Sequence, residues 1–163
     1  MPTIAAIVAR PGAGGRSGAP TVAGVTALPD SARALLSSGR PATCVTVNAD
    51  GSPQVSAVWV GLDGDEIVMG HIPRNAKVRN LQRDPRVVLS LQSDERNEIG
   101  MQHHLLVHGT ARVTEGGAAE LLQRLAEVYG GPGTVFPLPA DPPPGFVVRI
   151  SVDRVGGYGP WAS

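Results

Sequence analysis

Between residues 41 and 72 the chain reads PATCVTVNADGSPQVSAVWVGLDGDEIVMGHI. Apolar and polar positions alternate here with a period close to two, and NADGS and DGD interrupt them. Successive side chains of a strand point to opposite faces, so this alternation predicts half-buried strands. Three are expected, Thr43–Asn48, Gln54–Leu62 and Glu66–Gly70, joined as an antiparallel meander by Asp-Gly turns. Farther on, RVVLSLQ predicts a fourth strand, HHLLVHGTARV a fifth with Gly109 at a bulge, and FVVRISVDRV a sixth.

A helical pattern appears in three places. LPDSARALLSSGR predicts a short helix capped by Asp30 or Ser31, with Leu35 and Leu36 inward and Gly39 ending it. A second helix spans roughly Asn75–Gln82 and stops at RDP, because the residue before proline resists the helical region. GGAAELLQRLAEVYG predicts a third, with Leu121, Leu122, Leu125 and Val128 on one side. SDERNEIG reads as a polar loop, and GPGTVFPLPADPPPG as a loop or lid without regular structure. Six antiparallel strands with small helices predict a mainly β barrel.

Composition narrows the function. The chain has 163 residues, enough for one domain with a real core. Lys+Arg and Asp+Glu are 14 each, so no bulk charge draws nucleic acid or an anionic membrane, and any anion site must be local. No apolar run is long enough for a membrane span. One cysteine, Cys44, cannot form an intrachain disulfide, and a cytoplasmic location is expected. Residues 1–25 are rich in Gly, Ala, Arg and Pro and read as a flexible tail preceding a folded domain at 26–163. There is no Gly-x-Ser-x-Gly nucleophile motif and no Walker loop.

The second helix carries the first chemical signal. In HIPRNAKVRNLQRDPR the cations Arg74, Lys77 and Arg79 occupy the opening turns, where the helix dipole is already positive. No acid follows until Asp84. Arg74, Lys77 and Asn80 recur at a spacing of three and approach one face, beside the unpaired N–H groups of a helix start. That is a pocket for a phosphate or carboxylate, or else a solvated basic face. On the neighbouring strand, Gln54, Ser56 and Val58 share one side, while Trp59 lies on the other and suits a flat apolar ligand, a core or an interface. His104 and His108 share a face but sit about 13 Å apart on a strand, too far for one metal ion.

DGSPQVSAVWVGLDGDEIVMG followed by PRNAKVRNLQRDPRVVLSL closely resembles the pyridoxamine 5′-phosphate oxidase-like FMN-binding split-barrel superfamily. AKVRN, in place of the phosphate motif SRK, and the ending VGGYGPW resemble the actinobacterial branch that uses the deazaflavin coenzyme F420, the flavin/deazaflavin oxidoreductase B group. The resemblance implies a dimeric six-stranded antiparallel split barrel with cofactor in a groove between two subunits. Lys77, Arg79, Asn80 and, less closely matched, Arg74 would hold the phosphate and acidic tail. Gln54, Ser56, Val58 and Trp59 would line the ring system. The partner chain would supply the other wall, including Tyr158 and Trp161, and His71 or Tyr158 is the candidate proton donor. The implied activity is hydride transfer between reduced F420 and an unsaturated small molecule. FMN in the same fold, a non-catalytic F420 carrier and a haem-handling barrel are the alternatives.

Overall fold

The computed structural model describes residues 26–162, so the expected N-terminal tail lies outside the described residues. In chain order the elements are α1 (Asp30–Leu36), β1 (Ala42–Val47), β2 (Pro53–Val58), β3 (Gly61–Asp63), β4 (Glu66–His71), α2 (Ala76–Arg83), β5 (Arg86–Arg96), β6 (Gln102–Glu115), α3 (Ala118–Gly130) and β7 (Phe146–Tyr158). The strands form one antiparallel sheet in the order β2-β1-β5-β6-β7-β4-β3. This is the mainly β split-barrel fold, with seven strands rather than the expected six.

The extra strand corrects the expected meander. The run Gln54–Leu62 is not continuous: it breaks after Val58 and resumes at Gly61. Its first half pairs with β1 and its second half with β4, at opposite edges of the sheet. Seven strands laid flat would separate those edges by roughly 29 Å. Trp59 and Val60 alone join them, a span of roughly 10 Å. The sheet therefore has to roll until its edges meet, although no ladder closes them.

The Tyr129 hydroxyl, carried on α3, stitches this seam. It accepts the Val60 N–H at 2.8 Å, and its one proton faces the carbonyls of Arg40 and Val60 at 3.0 and 3.1 Å. Its ring stacks on Trp59 at 4.8 Å between centroids. Trp59 also meets the edge of Phe136, which ties the Pro-rich segment to the seam. The Gln123 side chain holds that segment at Thr134 O and Phe136 N.

The barrel interior is filled by Leu36, Ile67, Met69, Leu89, Leu91, Leu105, Val107 and Ile150, all essentially buried. On β4, Val68 points the other way, into a second cluster with Leu121, Leu125 and Val147 under α3. Both faces of β4 are covered, which is why IVMG, from Ile67 to Gly70, reads as a run with no polar residue. A side chain at Gly61 would meet Leu125 Cδ2 at 2.8 Å, so glycine permits α3 to sit this close. Gly109 marks a register shift between β6 and β7, as expected; a Cβ there would stand 2.4 Å from Ile150 Cγ2.

Several local expectations shift. α1 has Pro29 at its N-cap position and no side-chain cap; Asp30 lies inside the first turn, beside the positive end of the dipole. SDERNEIG is not wholly loop: β5 runs to Arg96 and β6 starts at Gln102, so the hairpin projects with polar residues on both wet faces. Its tip closes on Asn97, whose Oδ1 accepts from the Ile99 and Met101 amides. Val128 is exposed rather than core, and Gly156–Tyr158 continue β7 rather than forming a tail. No helix among the described residues is long and apolar enough to cross a membrane.

Tyr129→Phe keeps the ring stack but leaves the buried Val60 N–H without its acceptor. It should lower stability by about 1–3 kcal/mol, read as a fall in the urea midpoint with an unchanged m-value.

Candidate functional site

The N-terminus of α2 is set by Asn75, whose side-chain oxygen accepts the Val78 N–H at 3.1 Å. Val78 and Leu81 pack inward and fix the helix on the barrel. The helix has no acid in its first turn. Asp84, directly after it, is bound to Arg86 by paired contacts of 2.6–3.2 Å; it feels the Arg83 charge at the helix end but pairs with none of Arg74, Lys77 and Arg79. The Arg86 guanidinium holds the Asp84 carboxyl down to about 2.

The cations of α2 are used differently. Arg74 directs Nε and Nη2 to Gln82 Oε1 at 2.8 and 2.6 Å, and Arg79 donates to the Arg74 carbonyl. Both are exposed. Lys77 is half-buried and has no ion-pair or hydrogen-bond partner among the described residues. Its charge is felt inside the barrel. Burial pushes the Cys44 thiol up to about 11 against the opposing pull of Lys77. Burial, with Lys77 adding to it, pushes the His71 imidazole down to about 4.

Around Lys77 the protein leaves polar atoms unanswered. Ser56 pairs in register with Cys44, so both sit on the inward side of the β1–β2 ladder. The Ser56 hydroxyl is buried and has no hydrogen-bond partner, and neither has His71 Nε2. Buried polar atoms are nearly always paired, so these two orphans and the free ammonium are candidate ligand contacts. A phosphate- or carboxylate-bearing ring compound matches this donor set. At neutral pH His71 is uncharged; it can hydrogen-bond a ligand, but it is not an imidazolium acid.

Asn80 has a different role from that expected. It is buried, and its Nδ2 donates to Thr46 Oγ1 at 3.0 Å and Asn48 Oδ1 at 2.9 Å. Its Oδ1 accepts from Arg83 Nη2 at 3.2 Å, and Arg83 also reaches the Val47 carbonyl. Asn80 is thus the clamp of α2 on β1. Thr46, fully buried, donates onward to Gln54 Oε1 at 3.0 Å. Neither Thr46 nor Arg83 stands out in the sequence; a buried threonine two residues from Cys44 on the same face is the only local signal.

The remaining candidates separate from this group. Val58 is buried in the core, and Trp59 faces Tyr129 and Phe136 at the seam. Trp161 is buried and donates Nε1 to the His104 carbonyl, anchoring the chain end. Tyr158 is partly exposed and accepts from Asn97 at 2.6 Å. With His103, Glu95 and Pro160 it lines a cleft of about 440 Å³. His103 Nδ1 stands 3.6 Å from Glu95, beyond hydrogen-bond reach. A further cleft of about 450 Å³ lies under α3, lined by Asp63 and Arg149, which pair with each other, and by Glu120 and Arg124.

A family model described as pyridoxamine 5′-phosphate oxidase matches residues 28–158. Among solved structures, an F420 reductase is 25% identical, with a TM-score of 0.64, covering 79% of this chain and 98% of its own. The conserved hypothetical protein Rv2991 from Mycobacterium tuberculosis is 24% identical, with a TM-score of 0.63 and coverage of 86% and 89%. HupZ of Group A Streptococcus is 21% identical, with a TM-score of 0.54 and coverage of 78% and 92%. The last two likenesses are of fold. No curated protein matches the sequence.

The buried neutral His71 makes stability pH-dependent. Its folded pKa of about 4 lies below the ordinary imidazole value of 6.5, so the unfolded chain binds the proton first as pH falls. Stability is complete above pH 6.5 and is lost as pH falls toward 4. Lowering pH from 7 to 4.5 should cost about 2 kcal/mol in urea unfolding, and His71→Leu should remove most of that slope.

Proposed function

The chain belongs to the pyridoxamine 5′-phosphate oxidase family, and we propose that it is an F420-dependent oxidoreductase. Family and fold are those of flavin- and deazaflavin-binding oxidoreductases. The observation that carries the finer reading is the unpaired Lys77 beside the orphaned Ser56 hydroxyl and His71 Nε2. The likeness to an F420 reductase supports the choice of deazaflavin.

In this reading Lys77 meets the cofactor's phosphate as a point charge, with the α2 dipole and amides behind it. Arg79, exposed on α2, and Arg74, exposed just before it, meet the acidic tail. Ser56 and His71 hydrogen-bond the ring or its substituents, and Gln54 borders them on β2. Trp59 and Val58 serve the seam and core, not the ring face. When bound, F420 supplies the hydride exchanged with an unsaturated small molecule; the chain binds, orients and excludes water.

The groove is completed by a second copy of the chain. β2 is an edge strand with Val55 exposed, and Tyr158 is partly open at the other group. The location proposed is cytoplasmic. FMN is the second reading, favoured by the family model itself.

Titration with F420 and with FMN, followed by fluorescence, tests the cofactor. F420 should bind in the micromolar range or tighter, roughly 8 kcal/mol or more, with FMN weaker. Lys77→Ala should weaken F420 binding about tenfold or more with an unchanged circular dichroism spectrum. An unaltered dissociation constant in that variant would remove the phosphate role, and preference for FMN would change the cofactor.

A further inference from the structure

We infer that Gln54 is a one-way hydrogen-bond donor to the bound ring, and that Arg83 and Asp50, at the two ends of one chain of hydrogen bonds, are the positioning residues that make it so. The inference rests on the reading above only for the identity of the ring. The hydrogen-bond polarity comes from the free protein.

An amide side chain can present either its oxygen or its nitrogen, and the two look alike in outline. Here the choice is forced from both ends of a chain of contacts. Arg83 has donors only, so the Asn80 atom it contacts must be the oxygen. The Asn80 nitrogen is then what faces Thr46 Oγ1 and Asn48 Oδ1. At the other end Asp50 is an ionised carboxylate and accepts only; its hydrogen bonds from Ser52 hold its pKa down. Ser52 Oγ therefore donates to Asp50 at 2.6 Å and accepts from Asn48 Nδ2 at 3.1 Å. That turns Asn48 Oδ1 toward Asn80 as an acceptor. The guanidinium and the carboxylate impose the same direction.

The consequence passes through Thr46. Its oxygen is occupied by the Asn80 donor, so its proton is free to go outward, and Gln54 Oε1 at 3.0 Å takes it. Thr46 is fully buried, and reversing Gln54 would leave its hydroxyl proton without an acceptor. The Gln54 oxygen is thus spent on the protein. Its NH2 has no partner among the described residues, and it lies two residues from the orphaned Ser56 hydroxyl on the same strand face. The site therefore recognises an acceptor, a carbonyl oxygen or an unprotonated ring nitrogen, at the edge of a heterocycle, and disfavours a donor there.

Two measurements test this. In the ligand-free protein, NMR of the side-chain amides should show Asn80 protected from exchange and Gln54 exchanging freely. A protected Gln54 amide, or an Asn80 amide that exchanges freely, overturns the polarity. In the second, F420 affinity is measured for Thr46→Val, Thr46→Ser, Gln54→Met, Arg83→Met and the Thr46→Val/Gln54→Met pair. Thr46→Val and Gln54→Met should each lose about tenfold and the pair little more than either, because one hydrogen bond is removed twice. Thr46→Ser should keep wild-type affinity, and Arg83→Met alone should bind nearly as the wild type, because Asp50 still sets the direction. Additive losses, or no rescue by serine, would make Thr46 a packing residue and overturn the relay, and a tenfold loss in Arg83→Met would overturn the share assigned to Asp50. If the wild-type protein binds neither F420 nor FMN, the cofactor reading fails while the NMR result still decides the polarity.

Discussion

The two residues between Val58 and Gly61 constrain everything else in this protein. They carry the chain from one edge of a seven-stranded sheet to the other, a distance that a flat sheet could not offer. Rolling the sheet creates an interior, and the interior receives the Leu, Ile and Val side chains that stabilise the fold. The same rolling leaves a seam without a ladder. One phenolic oxygen, on a helix nearly seventy residues later, satisfies the backbone there. α3 and the Pro-rich segment are consequently part of the barrel's closure rather than ornaments on its surface.

The site follows from that geometry. Helix α2 sits over β1, held by Asn80 and Arg83, and its cationic first turns face a strand pair whose inner side carries Ser56 and Gln54. Asp84, the next acid along the chain, is engaged with Arg86, and Lys77 has no ion-pair partner among the described residues. Positive potential in the site is therefore a local property of a chain with zero formal net charge. Burial supplies the rest: it keeps His71 neutral, so the imidazole contributes direction rather than charge.

Sequence reading reached the features that local chemistry determines. Asn75 as the start of α2, the Val78 and Leu81 face, the NADGS turn and the Gly109 bulge all follow from neighbours a few residues apart. What was hidden depends on distant pairing. The run from Gln54 to Leu62 carries no turn signal at Trp59–Val60, so its break there leaves no mark; only the partners of each half reveal it. Asn80 was legible as a polar residue beside Lys77, but its clamp role requires Thr46 and Asn48, more than thirty residues away. Trp59, flanked by valines, suits a ligand wall, a core or an interface, and Trp161 enters as a partner-chain wall only through the family resemblance. The fold spends one on its seam and buries the other at its end.

Cys44, the only cysteine, is fully buried against the barrel wall, and its thiol is pushed up to about 11 by that burial. Thiolate is the form that attacks disulfides and maleimides, so the native protein is silent toward both at neutral pH. A cysteine introduced on the exposed hairpin tip, at Ile99 for example, would be the sole reactive thiol on the folded molecule. The barrel thus comes ready for single-site attachment of a spectroscopic label, with no native residue to remove first.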